Sequence, residues 1–387
     1  MFSLLTLAAL YLAPLGARAS PCVAFDTNWN LLAFGFDGKD WNAGTQDAWA
    51  SGSASDITAS GRPPFDGSNT TCYLSQFTNA IYVANGDKAN PSNIHIYDAA
   101  AKSWSTQTTT TGTFDPTSFD ATLDHDTNVF YAISHGELFS LDMGLLNAAN
   151  STALPWNDVQ ATPYGADYKP VMALAQNHIH FIDVPNTPAG DANIFVIHFS
   201  FFQPDVQSYP ASGGQSFPAT HGQATSFFQS EGVQQEFAFI PDDGSATYVI
   251  NVENNSTQVL AGPTTKDSAA TYFAGITSLV QVDSTGSVMY LPYKQGDSAT
   301  NAAATWSKVS AIASVAPPTS SGSSTSTAAG SKASSTKSSS ASGSSSSSST
   351  SASSNSTQKD AAVAMSPRGL IGGAAGAVIL TLGTLIL

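Results

Sequence analysis

The side chains able to do chemistry in this 387-residue chain are sparse and scattered: two cysteines, seven histidines and 28 carboxylates. His178 and His180 flank Ile179 in an apolar run. On a strand, alternate residues share a face, so both imidazoles point the same way, as a metal site requires. No cysteine or carboxylate stands beside them at ligand spacing, which favours an ordinary surface pair and no bound metal. His125 lies between Asp124 and Asp126, just before Asn128, where aspartates serve a turn by accepting backbone hydrogen bonds. Paired carboxylates hydrolyse glycosides, and Asp120, Asp124, Glu137, Glu231 and Glu236 are the candidates. A general acid among them needs an apolar pocket, and the pattern singles out no pair.

There is no G-x-S-x-G nucleophile turn, no phosphate-binding glycine loop and no sialidase-type Asp-box, so acyl and phosphoryl transfer lose their usual signatures. The residues name no catalytic, cofactor-binding or metal site, expect no cofactor, and favour a binding protein over an enzyme. Trp29, Trp41 and Trp49 have the faces to stack on sugar rings, although core packing is the simpler use for them. Residues 20–316 carry 27 acidic and 8 basic side chains, a net charge of −19. Such a charge repels nucleic acid. It serves the solubility of an exposed glycoprotein more simply than calcium bridging through acidic loops such as Asp242-Asp243.

The ends of the chain give the compartment. Leu4 to Leu15 is a short apolar block followed by Ala17-Arg18-Ala19, the pattern of a secretory signal peptide over 1–19, cleaved after Ala19. In that oxidising route Cys22 and Cys72 are expected to pair, since neither has a C-x-x-C neighbour and metal binding would need more ligands. Asn69, Asn150, Asn254, Asn255 and Asn355 each begin an N-x-S/T triplet and are N-glycosylation candidates on that route. Residues 317–357 are almost entirely Ser, Thr, Ala and Gly, a composition that cannot bury a core and reads as a disordered stalk.

The last nineteen residues, Gly369 to Leu387, carry no charge. At this length a transmembrane helix is possible. Glycines dilute the run, no basic cluster follows it and a polar spacer precedes it, which together favour a glycosylphosphatidylinositol (GPI) signal over 358–387, with Asn355 as attachment residue and Asp360 as second choice. Membrane contact is then expected through a lipid anchor or that helix, on the extracellular face of the plasma membrane or in the wall.

Stepping inward, any site must be positioned by strands. Short runs rich in Val, Ile, Phe and Tyr recur between Asn, Gly, Asp and Pro, with almost no helical periodicity. Asn30, Asn79, Asn128 and Asn177 each open such a run, reading N-L-L-A-F, N-A-I-Y-V, N-V-F-Y-A and N-H-I-H-F. Looser copies are expected at 235–240 and 287–291. Runs before most of these copies, including 272–279 near the end, and third runs after several, such as 94–98, 138–142, 194–199 and 248–252, make a hairpin-built sheet per unit, with each asparagine at a turn. A period near fifty residues with that content implies a β-propeller of about six blades over 20–316; a β-sandwich or jelly roll is the alternative.

The second unit resembles a kelch-type repeat, with Ile81-Tyr82-Val83, Asn85-Gly86, Ile94 to Tyr97, Asp98 and Trp104 in the kelch order; Asp98 is expected to cap the turn before Trp104. In the third unit the glycine doublet is missing and the tryptophan counterpart is the distant Trp156. The whole layout resembles GPI-anchored surface glycoproteins of filamentous fungi. That resemblance covers layout and not chemistry; the reading set beside it is display of a binding domain for carbohydrate or protein partners through loops at one end, with an anchored or secreted wall-polysaccharide hydrolase and a single-pass membrane protein with the same ectodomain as alternatives.

Overall fold

The computed structural model describes residues 20–319. The expected signal peptide, stalk from residue 320 onward, anchor signal and Asn355 lie outside the described residues. Among the described residues no helix is long and apolar enough to cross a membrane.

The fold is all-β, a six-bladed propeller. Each blade is an antiparallel sheet drawn from one continuous stretch of chain, and the innermost strands are Cys22–Phe25, Thr71–Ser75, Asp120–Asp124, Met172–Ala175, Gly222–Ser226 and Thr271–Ala274. Neighbouring inner strands abut around a ring, the last against the first. Their starts at 22, 71, 120, 172, 222 and 271 keep the period of about fifty through all six blades. Blades have four strands except the fourth, whose third strand, Asp191–Val196, carries both Phe201–Phe202 and Gln207–Ser208 on its outer side. Thr109–Thr110 and Leu154–Pro155 add a small parallel pair between blades 2 and 3.

Each sheet is apolar on both sides and is covered by its neighbours, which is why single blades are not stable units. Between blades 1 and 2, Phe34 meets Tyr97 and Trp104 edge-on at 5.1 and 5.2 Å. In blade 3 Trp156 stacks on Phe114 at 4.0 Å. Trp156 therefore does for blade 3 what Trp104 does for blade 2: each stands at the start of an outermost strand, Asn157–Ala161 and Ser103–Gln107, and the insertion between explains the distance in sequence. Trp41 and Trp49 are buried and Trp29 half-buried, so the early tryptophans are core.

Asn79, Asn128 and Asn177 all adopt left-handed backbone, with φ of 52, 59 and 58°, at the turn into the second strand. Asparagine tolerates that region better than most residues. In the first blade Trp29 takes the left-handed position, one residue before Asn30. Asp98 caps its turn as expected, its Oδ1 accepting from the amides of Ala100 and Ala101 at 2.9 and 2.8 Å. Two strand expectations need correction. The run at 287–291 is the third strand of the last blade, Val288–Pro292, and 272–279 holds the end of Thr271–Ala274, a turn and the start of the second strand, Ser278–Val282. The turn was read through because Gly275 is its one boundary residue: Gly275-Ile276-Thr277 contains no Asn, Asp or Pro.

The ring closes without exchange of a strand. The Cys22–Cys72 disulfide joins the inner strands of blades 1 and 2. On the other side of blade 1 the C-terminal helix Ser310–Val315 bridges to blade 6: Ala311 donates to the carbonyl of Trp49 at 3.1 Å, and Val309 to that of Val288 at 2.9 Å. Pro21, Ala316, Pro317 and Thr319 share one surface cavity of about 320 Å3, so both ends of the described chain meet at this seam.

Candidate functional site

Inner strands all run in one sense, so their first residues gather at one end of the central channel and their last residues at the other. The two ends are built differently. At the far end the connection after the inner strand of blade 5, residues 227–235, crosses the axis. Its Gln229 carbonyl accepts from Gln76 Nε2 of blade 2, diametrically opposite, at 3.1 Å. Its Gln234 carbonyl accepts from the Gln176 amide of blade 4 at 2.8 Å, and its Phe228 amide donates to Gly275 of blade 6 at 3.3 Å. Phe228 also packs on Phe273 and Trp29. The channel is thereby blind, with Phe228 and Gln234 at its floor.

The channel proper is a cavity of about 130 Å3 lined by Tyr73, Asp120, Gln223, Thr225, Ser226 and Tyr272 among others. That is slightly less than the roughly 150 Å3 of a cavity that holds one benzene, so it admits about one ring-sized group. It opens into a mouth of about 560 Å3, which shares Thr71, Tyr73, Asp120, Gln223 and Thr271 with it and adds His135, Lys169 and His221. Asp120 sits where the two meet. Its remaining surface faces the channel rather than bulk water, and that burial holds its carboxyl up at about 7 against the pull of the Ala121 amide, 3.0 Å away, and of His221. No lysine, arginine or histidine among the described residues forms an ion pair with it.

His221, just ahead of the inner strand of blade 5, pairs through Nδ1 with Asp242 Oδ2 at 2.9 Å. Asp183, held at a left-handed φ of 58°, lies within electrostatic reach of both, and burial raises its carboxyl too. On the rim, His135 and Asp115 pair at 2.9 Å, and hydrogen bonds from His135 and Thr117 hold the Asp115 carboxyl down at about 2. Burial raises the phenols of Tyr73 and Tyr272, so both stay protonated donors.

Of the five carboxylates examined for hydrolysis, the structure brings only Asp120 to the channel. Asp124 is at the opposite end of the same strand, where it accepts from Thr127 Oγ1 at 2.5 Å and from the Asp126 amide at 3.2 Å; His125 belongs to that turn. Glu236 is buried, accepting from Asn251 Nδ2 at 2.7 Å and from the Tyr293 hydroxyl. Glu137 begins a strand of blade 3 and Glu231 is exposed on the crossing loop. His178 and His180 do share a face, but His180 is buried between blades 4 and 5 against Tyr209 and Phe237. Burial there drives its imidazole down to about 3, with the neighbouring His178 adding to the effect. No group of three or more His, Cys, Asp or Glu is placed to hold a metal among the described residues. Asp243 caps its own turn, accepting from the Ser245 amide at 2.8 Å.

Sequence reasoning missed His221, Asp183, Gln234 and the two tyrosines. Laying the six units on the inner-strand period would have found part of the ring, because Thr71, Asp120 and Thr271 each open an inner strand and His221 immediately precedes one. Asn69, Asn150, Asn254 and Asn255 are all exposed. Asn69 alone of these lies on the mouth, at its rim.

No protein-family model matches the chain, and no curated protein matches it. Among solved structures it is similar to one titled "Structure of YjhT", with 10% sequence identity and a TM-score of 0.45 over 75% of this chain and 97% of that one.

Proposed function

We propose that this chain is an exported, surface-displayed glycoprotein whose propeller takes the end of a glycan into its blind channel. The observation that carries the reading is the channel itself. It is closed at one end, too narrow for a folded partner, and lined by hydroxyls, amides and two tyrosines around one carboxyl, the mixture of donors, acceptors and ring faces that suits a sugar. The net charge of −19 over residues 20–316 disfavours polyanions. Display through a stalk and lipid anchor is supported by the sequence of the two ends, and in that setting the binding contributes to adhesion or wall organisation.

The test is binding of purified protein to a panel of wall polysaccharides and their oligosaccharides by calorimetry, with Ala224→Trp to fill the channel. Binding lost in the variant, with an unchanged melting temperature, supports the site; a channel-filled variant that binds as before removes it. Release of the protein from cells by phosphatidylinositol-specific phospholipase C tests the anchor, and retention in the membrane would favour a spanning helix.

A second reading is favoured by Asp120. A carboxyl that keeps its proton near neutrality is what a general acid needs, and the His221–Asp242 pair stands on the same mouth as a possible base. Turnover of the bound polysaccharide, lost in Asp120→Asn, would establish a hydrolase; binding without turnover leaves a lectin-like head.

A further inference from the structure

We infer that an N-glycan on Asn69 screens the mouth, so that the channel admits slender chain ends and holds back bulky ligands; the inference rests on the exported-glycoprotein reading above. The first support is position. Among the described sequon asparagines, Asn150 sits on the outer wall, its backbone amide donating to Gln107 Oε1 of blade 2 at 2.9 Å. Asn254 and Asn255 occupy the turn between the third and fourth strands of blade 5, at the closed end. Asn69 is exposed and lines the mouth together with Thr71, Tyr73 and Asn85.

The second support is presentation. The hairpin asparagines with left-handed backbone commit their side chains to the preceding blade: Asn79 Oδ1 accepts from the Thr27 amide, Asn128 Nδ2 donates to the Tyr82 hydroxyl and Asn177 Nδ2 to Asp126 Oδ2. Asn69 has the same backbone, with φ 59°, but its side chain forms no hydrogen bond among the described residues; its carbonyl accepts from the sequon hydroxyl, Thr71 Oγ1, at 3.1 Å. The flanking chain is clamped to the connection between the second and third strands of blade 2. Thr70, 1% exposed, donates through Oγ1 to the Asn85 carbonyl at 2.8 Å, and the Lys88 amide donates to Asp66 Oδ1 at 2.9 Å. Gly67 packs so closely there that a Cβ would lie 1.8 Å from the Asn85 carbonyl oxygen. A sugar on Asn69 Nδ2 is therefore held at the rim and not carried away on a swinging loop.

Size decides the effect. The mouth holds about 560 Å3, which at roughly 150 Å3 for each ring-sized group is room for about four. A branched N-glycan carries more rings than that, so it covers the opening without filling the channel, which admits about one. In the modification itself a lipid-linked oligosaccharide diphosphate is the donor. The bond from the first sugar's anomeric carbon to Asn69 Nδ2 forms as its bond to phosphate breaks; the amide gives up one proton and the diphosphate leaves with the electron pair.

The experiment uses the full chain, secreted from a eukaryotic host that adds high-mannose N-glycans, with a reporter thiol from Gln223→Cys, at a position lining both channel and mouth. Glycopeptide mass spectrometry reads occupancy at Asn69. Labelling rates are measured with N-ethylmaleimide and with a polyethylene-glycol maleimide, before and after endoglycosidase H trims the folded protein. Asn69 is expected to be occupied, and trimming to speed labelling by the polymer about tenfold and by the small reagent less than about twofold. With the reporter moved to the exposed Glu231 of the crossing loop, Glu231→Cys, trimming changes neither rate. Asn69→Gln added to the reporter should behave as trimmed protein, and Thr71→Ser, which keeps the sequon, as the parent. An occupied Asn69 with polymer labelling unchanged on trimming overturns the screen and leaves the exported reading, as does a bare Asn69 in protein glycosylated elsewhere. Secreted protein with no N-glycan overturns both. Should Gln223→Cys not be secreted, Thr271→Cys, which also lines both cavities, takes its place.

Discussion

Asn128 and Asn69 have the same backbone, φ 59° in the left-handed region, yet they stand at opposite ends of the propeller and in opposite circumstances. Asn128 is 2% exposed at the closed end, its Nδ2 donating to the Tyr82 hydroxyl at 2.8 Å and to the Gly144 carbonyl at 2.5 Å. Asn69 is exposed on the rim of the mouth. The contrast holds for the ends as wholes. At the closed end turns of neighbouring blades bond one another, as in Thr27 to Asn79 and Asn177 to Asp126, at 2.9 and 2.6 Å. At the mouth end a disulfide does the stitching between blades 1 and 2, and polar side chains are left facing the cavity. One end uses its polar groups to hold shape; the other leaves several of them facing the cavity.

Four perturbations separate these roles. The largest effect is expected from the mouth's covalent stitch: C22S/C72S frees a loop with a sequence separation of 50 and should lower stability by about 4 kcal/mol in denaturant unfolding. Next, Asn128→Ala removes two buried hydrogen bonds and strains the left-handed backbone, costing about 3 kcal/mol, of which Asn128→Gly should recover the backbone share of about 1. Loss of less than a quarter of that in Asn128→Ala would dissolve the contrast between the ends.

Asp120→Asn sharpens it through pH. The folded carboxyl lies at about 7, above its ordinary 3.8, so between those values the folded state binds more protons than the unfolded one and stability falls as pH rises. The Asn variant lacks this slope. It should therefore match the parent near pH 4 and exceed it by about 2 kcal/mol at pH 8, allowing for water in the channel. Parallel melting-temperature curves for the two proteins would show that the carboxyl is not held up by its site. The smallest stability effect, about 1 kcal/mol or less, is expected for Asn69→Ala in unglycosylated protein, where only backbone strain is involved. In glycosylated protein the same change should alter ligand association at the mouth.

How much of this was written in the sequence divides along the same line. The blades were legible because each is made locally: alternating apolar strands, an asparagine that accepts left-handed backbone, and Asp98 capping a turn are all contacts within a few residues. The disulfide was legible because the chain has two cysteines, neither in a C-x-x-C pair, behind an expected secretory signal. Legibility failed where a turn carried only a single glycine between apolar residues, as at 275–277, and where a site is assembled across blades. Asp120 meets His221 only because two inner strands a hundred residues apart start at one level. Glu236 is acidic by composition but structural by position, bonded to Asn251 and Tyr293. The extra length between Asn177 and the strand Glu236–Pro241 reads in sequence as a loose repeat; in space it is the loop that closes the channel, and nothing local marks it as a floor.

The meeting of both chain ends at the mouth has a practical side. Thr319 donates to the Thr285 carbonyl at 2.9 Å, and Ser20 to that of Phe65 at 2.7 Å, which brings both exits to the face where the channel opens. Attachment at residue 20 or residue 319 would therefore hold the domain by the face that carries the opening. Asn254 and Asn255, on the opposite face, are the better handle for capture.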